Sequence, residues 1–359
     1  MRKPYRIAIW GPGVIGSTCL EGVLLDPAFE LVAVYAYSAD KEGMDAGTLV
    51  GMPPCGIEVT TDPAVLMAAG ADCVLYTARD YGDFRADDDI IKLLHAGINV
   101  VSALPYQNIS IRGPEVVAKF EDACLAGSAT LYGAGINPGF MFERLFMAAT
   151  GGVTGIKQMR QREITMIGAD SAVQLKDICG FGLPEAEARQ KAGASSMWTS
   201  YHAQFLYLVA EAQGLTIDRL DYEITFDAAP ETFQAPTMLV EKGTVARMNN
   251  RWTVHCGDRT PLISETVWFM GDIVRPEGAV GDDCYIMEVE ATPSMRIGVE
   301  LKNSLVTGAR YPDHNHHGPI YYATAAPMIQ AIPAVVDGPA GIRRIAPPSN
   351  SYWKVDMRL

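Results

Sequence analysis

The tightest constraint on this chain lies in its first twenty residues. The stretch AIWGPGVIGSTC carries Gly11, Gly13 and Gly16 in a Gly-x-Gly-x-x-Gly spacing. It leaves an apolar, strand-like run from Tyr5 to Trp10. It then enters a helical run from Val14 to about Leu25, which Asp26-Pro27 ends. A second apolar run, LVAVYA, follows within thirty residues. That is the strand-turn-helix-strand setting in which this spacing cradles a pyrophosphate. Gly11 permits the tight turn, and Gly13 lets the backbone N–H groups of Val14 and Ile15 reach the anion. Gly16 lets the helix pack closely on the strand, and the helix N-terminus favours negative charge.

The pattern continues to about residue 150. IEVTTDP gives a short strand, with Asp62 capping a helix that opens at Pro63. DCVLYTA, INVVSA and ATLYGAG are further buried strands. They alternate with the helical runs DDDIIKLLHAG and Pro114 to Ala126. Uninterrupted apolar strands separated by helices predict a doubly wound parallel sheet over residues 1–150, with six strands. After Gly152 the strands lengthen and alternate, as in IKQMRQREITMIG, TVARMNNRWTVHCG and YIMEVEAT. Residues 151–318 therefore read as a second α/β domain around a mostly antiparallel sheet. Its one long helix runs from Met197 to Gly214. Residues 319–359 hold a last helix, which Pro327 is expected to interrupt and Pro333 to end.

The carboxyl ends of the parallel strands are where ligands of such sheets bind. At the second strand the tip reads YAYSADK, with Ser38 and Lys41 and no carboxylate on the strand itself. A hydroxyl with a lysine suits a 2′-phosphate better than a bare ribose hydroxyl, so NADP is preferred and NAD remains the alternative. Thr77, Ala78 and Arg79 follow the fourth strand, and Ala103 the fifth. All four belong to the candidate cofactor site. After the sixth strand comes LYGAGINPGFMFERL, where Asn137 reads as an N-cap and Pro138 as the first helical residue. Asn137 is a candidate for both cofactor contact and catalysis.

The opening glycine turn, DCVLYTARD, GAGINPGF, EVEATPSMRIGVEL and ATAAPMIQAIPAVVDGPAGI together resemble the dihydrodipicolinate-reductase-like oxidoreductases. Within them the chain is most similar to the branch of 2,4-diaminopentanoate dehydrogenase and the native NAD(P)-dependent amine dehydrogenases. The resemblance implies a Rossmann domain, a second domain that binds substrate and forms a homodimer, and a C-terminal helix returning to the first domain. It implies interconversion of a small amine with a ketone and ammonia. That branch carries a glutamate in the loop after the fifth strand. Here the loop reads SALPYQNISIRG and holds no acid, with Tyr106, Gln107 and Asn108 roughly in its place. Tyr106 is then a candidate proton donor, and Gln107 and Asn137 are candidate orienting groups. Asp170 or Glu163, on the strand ending REITMIGAD, are candidates for the missing acid. Phe140, Met141, Met166, His202 and Trp268 complete the candidate substrate pocket. A reductase acting without ammonia and a non-catalytic NADP-binding protein are the competing readings.

Composition narrows the partners. The chain has 29 basic and 42 acidic side chains and a formal net charge of −13. It offers no basic footprint for nucleic acid or for an anionic membrane. No apolar run reaches the roughly 20 residues of a membrane span, and the N-terminus does not read as a signal peptide. The seven cysteines show no Cys-x-x-Cys pair and suit a reducing, cytoplasmic setting. Asp313, His314, His316 and His317 cluster in one loop, but their spacing matches no zinc motif, and no metal is expected.

Overall fold

A computed structural model of the chain describes residues 3–79, 83–167, 175–176, 179–193, 196–306, 317–346 and 348. Asp170, Asp313, His314 and His316 lie outside them. The chain divides into two compact units. The first comprises Met1–Glu143 with Lys302–Ala346, and the second is built on Arg144–Leu301.

The first unit is a seven-stranded sheet. Its strands are β1 (Tyr5–Trp10), β2 (Phe29–Tyr35), β3 (Val59–Thr60), β4 (Cys73–Tyr76), β5 (Asn99–Ser102) and β6 (Thr130–Gly133), joined by a C-terminal strand, Gly341–Arg343. The order is C-terminal strand, β6, β5, β4, β1, β2, β3, with every pair parallel. The chain winds outward from β1 in one direction to β3 and in the other to β6, so the winding reverses between β1 and β4. Ile7, Ile9, Val74, Leu75, Val100, Val101 and Leu131 are all fully buried, because helices cover both faces. The helix Val14–Leu25 stops where Asp26 takes an extended backbone, the conformation that a following proline favours. Helix Ala86–His95 sets Asp87, Asp88 and Asp89 in its first turn and Lys92 and His95 in its last, complementing its dipole. Asp62 caps Pro63–Ala68 by accepting the Ala64 N–H at 2.9 Å.

Two local readings are corrected. Pro138 does not open a helix: its peptide bond to Asn137 is cis, and the helical turns begin at Met141 as a π-helical stretch, Met141–Phe146. The Met141 N–H reaches back five residues to the Ile136 carbonyl. The last helix is one helix, Pro319–Val336, running through both Pro327 and Pro333. Its packing outweighs the two missing N–H groups. Met328, Ile332 and Val335 are fully buried, and Ile329 lies over Gly22 of the first helix.

The second unit's main sheet runs in the order β14, β13, β7, β12, β11, β8. These are β7 (Thr154–Met166), β8 (Arg219–Ala228), β11 (Val245–Cys256), β12 (Arg259–Phe269), β13 (Asp283–Thr292) and β14 (Met295–Leu301). A small hairpin, β9 (Phe233–Gln234) with β10 (Leu239–Val240), stands apart. The sheet is mixed: β7 and β12 pair in parallel, and its other neighbours are antiparallel. The helix Ser196–Ala212 packs on the face that carries Ser264 and Trp252. No helix among the described residues is long and apolar enough to cross a membrane.

Candidate functional site

The carboxyl ends of β1 and β4 meet at the point where the winding reverses. Gly11 sits there with φ of +88°, a backbone that L side chains rarely adopt. Its N–H donates to the Tyr35 carbonyl at 2.9 Å, tying the turn to the end of β2. Thr77, at the end of β4, donates its hydroxyl to the Gly11 carbonyl at 2.8 Å. A side chain on Gly16 would collide with that same carbonyl and with Thr77 Oγ1, so the helix sits directly on the turn. Gly13 is different. It is exposed, and a Cβ built there meets nothing within 4 Å. The first helical turn carries no acidic residue, and Gly13 gives it no side-chain cap. The uncapped start of the helix therefore borders open space at Gly13, which a side chain there would enter. This geometry fits the pyrophosphate of a dinucleotide.

The tip of β2 borders the same turn. Lys41 Nζ donates to the Pro12 carbonyl at 2.7 Å, which holds the ammonium beside the glycine turn. Tyr37 is fixed by the Trp10 indole N–H at 2.9 Å and stays 58% exposed. Ser38 is exposed next to it. Ala78 lies under Gly11, Arg79 is exposed, and Ala103 follows β5 with its N–H on the Tyr76 carbonyl.

The loop after β5 departs from the sequence reading. Tyr106 is 2% exposed, packs edge-on to Phe120, and donates its hydroxyl to Asp87 Oδ1 at 2.6 Å. Arg112 pairs with the same carboxylate and lies over Phe84. The hydroxyl is thereby committed to anchoring a helix, which leaves Tyr106 poorly suited to proton donation. Gln107 is the informative neighbour. It is 1% exposed, and neither its side-chain nitrogen nor its oxygen finds a hydrogen-bond partner among the described residues. A buried amide left so is costly unless a ligand completes it. Its backbone lies against Gly133 at the end of β6. Asn137 and Phe140 follow in the next loop, both half-buried. Met141 is 2% exposed and belongs to the core. Glu143, fully buried, was not singled out in the sequence; its Oε1 accepts the Gly139 N–H at 2.8 Å and braces the NPGF turn.

The second unit separates residues that the sequence reading grouped. Strand alternation puts Trp268 on the helix-covered face of the sheet, opposite Thr165, while Met166 pairs with Phe269 and faces the other way. Met166 is 37% exposed and touches Arg275. His202 is buried, stacks on Trp252 at 3.7 Å, and places Nδ1 3.1 Å from Ser264 Oγ. Burial holds its pKa down to about 3, so it is neutral and packs rather than titrates near pH 7. Glu163 accepts the Trp268 indole N–H at 3.1 Å. On the open face Glu265 binds Arg160 and Arg162, with Arg251 3.4 Å away. Beside them lies a polar cavity of about 550 Å³.

No family model matches the chain, and no curated protein matches its sequence. Solved structures share its fold at low identity. The amine dehydrogenase from Mycobacterium smegmatis has a TM-score of 0.77 at 21% identity, covering 97% of each chain. GenD2 from gentamicin A biosynthesis, solved in complex with NAD, gives 0.56 at 17% over 94% of this chain and 88% of that one. Biliverdin reductase from Synechocystis, in complex with biliverdin and NADP+, gives 0.52 at 14% over 93% and 90%. At these identities the likeness establishes the fold: a Rossmann-like parallel sheet with a second α/β unit.

Proposed function

We propose that this chain is an NAD(P)-dependent oxidoreductase that interconverts a small amine with a ketone and ammonia. The observation that carries the cofactor is the open space over Gly13, at the reversal of the winding and the uncapped start of a helix. Gly11, Gly13 and the N–H groups of Val14 and Ile15 would hold the pyrophosphate. Lys41 and Ser38 favour NADP over NAD, because a lysine held beside the glycine turn would pair with a 2′-phosphate. A bound nicotinamide cofactor supplies or accepts a hydride. The chain's own residues bind and orient. Gln107, with an amide oxygen and nitrogen to offer, and Asn137 would align the reacting C–N or C=O group.

The amine as substrate draws on two supports. One is the sequence resemblance to the 2,4-diaminopentanoate dehydrogenase branch of the dihydrodipicolinate-reductase-like enzymes. The other is the fold shared end to end with an amine dehydrogenase. A reductase of a C=O or C=N group without ammonia is the second reading, favoured by the acid-free loop around Tyr106, Gln107 and Asn108, roughly where that branch has a glutamate. Following NADPH and NADH at 340 nm across small ketones, with and without ammonium, separates the two. Ammonium-dependent consumption, faster with NADPH, is expected. Consumption indifferent to ammonium overturns the amine reading, and tight cofactor binding without consumption overturns catalysis. We further propose that the working form is a homodimer joined through the open, charged face of the second unit's sheet.

A further inference from the structure

One carboxylate holds both ends of the loop that carries Gln107. Asp87 stands in the first turn of the helix Ala86–His95. Its Oδ1 accepts the Tyr106 hydroxyl at 2.6 Å and an Arg112 N–H at 3.1 Å, and its Oδ2 accepts a second Arg112 N–H. A two-pronged guanidinium–carboxylate pair of this kind fixes orientation as well as distance. The pair is largely shielded from water, with side-chain exposures of 11% for Arg112 and 21% for Asp87. Aromatic rings back both anchors. The Arg112 guanidinium lies 3.8 Å over the Phe84 ring, and Phe120 meets the Tyr106 ring at a steep angle. Phe84 holds its place with φ of +56°, a backbone rare for a bulky side chain. Such strain persists only where the surroundings impose it, and it clusters at functional sites.

We propose that Asp87, acting through Tyr106 and Arg112, is the positioning residue that sets Gln107 against the reacting group, which rests on the orienting role given to Gln107 above. Gln107 lies between the two anchors, next to Tyr106. Its backbone also presses on the end of β6: a Cβ on Gly133 would stand 2.4 Å from the Gln107 nitrogen and from the Tyr106 carbonyl carbon. Its side-chain amide makes no hydrogen bond among the described residues, to Asp87 or to any other group. A side chain without hydrogen bonds is not aimed by them. Its place follows from the backbone that carries it, and that backbone is held at Tyr106, Gly133 and Arg112. An orienting group displaced by about 1 Å can cost on the order of a hundredfold in rate. The clamp therefore does for Gln107 what its own missing partners do not, and Asp87 touches neither substrate nor cofactor in doing so.

The test is a double-mutant cycle in the full-length protein. Turnover is followed at 340 nm with NADPH and whichever of acetone, butanone and cyclohexanone the wild type reduces fastest, with and without ammonium chloride. Asp87→Asn keeps shape and removes charge, and should lower kcat/KM for the ketone roughly tenfold with KM for NADPH unchanged. Gln107→Leu alone should also lower it roughly tenfold. In the double variant the further loss should be no more than about twofold, because the clamp acts only through Gln107. A clamp that merely supports the fold would multiply the two losses to about a hundredfold. Tyr106→Phe deletes one anchor and keeps the ring, and should lose about threefold, again only while Gln107 is present. Thermal melts report folding, and Tyr106→Phe decides the matter should Asp87→Asn not fold. Multiplied losses, or an unchanged kcat/KM in the clamp variants, overturn the clamp and leave Gln107 and the amine reading standing. An unchanged kcat/KM in Gln107→Leu, or no ketone-dependent consumption of NADPH by the wild type, overturns both.

Discussion

Two glycines three residues apart make opposite demands, and substitution should tell them apart. Gly13 faces open space, so Gly13→Ala should leave the thermal midpoint within about 1 °C and weaken NADPH binding roughly tenfold. Gly16 faces the Gly11 carbonyl, so Gly16→Ala should cost about 2 kcal/mol of stability as well as the cofactor. Calorimetry and fluorescence titration of the two variants check both halves. Gln107 offers the reverse trade. Gln107→Leu removes a buried amide that has no partner, so chemical denaturation should show a gain of about 1 kcal/mol, while kcat/KM falls roughly tenfold. The glycine turn was legible because its rule is local and steric. The fate of Tyr106 was not: its partner Asp87 lies 19 residues back, on the helix Ala86–His95, a distance that no spacing rule reports.

Elements obey local grammar until packing overrules it. The helix Pro319–Val336 contains two prolines that the grammar reads as breaks. Its apolar face, seated against Gly22 and Cys19, keeps it whole. The NPGF turn carries the signature of a helix start, yet the helical turns begin three residues later than Pro138. Helix Ser196–Ala212 is anchored by a neutral imidazole, and this has a pH signature. The folded pKa of His202, about 3, lies below its unfolded value near 6.5. The unfolded chain therefore takes up a proton first, and stability falls as pH drops from about 6.5 towards 3. Between pH 7.5 and 5.0 the wild type should lose about 2 kcal/mol that His202→Asn does not lose, measured by urea midpoints at the two values.

At the scale of the molecule, the alternation of strands and helices was enough to read the doubly wound sheet and the change to a second unit. It did not reveal the seventh strand, since Gly341–Arg343 is too short to carry a pattern and is a strand only because β6 lies beside it. Nor did it show the parallel pair of β7 and β12, because alternation reports a face and not a direction. The proposed dimer belongs here too. Arg251, 46% exposed beside Glu265, stands on the face assigned to the interface. Arg251→Glu should shift a micromolar sample from dimer to monomer in sedimentation velocity, with its circular dichroism unchanged. An unshifted dimer would put the interface elsewhere.

The first unit is sewn from two stretches of chain, residues up to 143 and residues from 302. During synthesis its sheet waits, open beside β6, until some two hundred further residues have left the ribosome. The second unit's main sheet has its last strand complete at Leu301. Chains stalled at that point should protect the second sheet from protease while the glycine turn is still cut, so the ability to hold a cofactor is the last property this protein acquires.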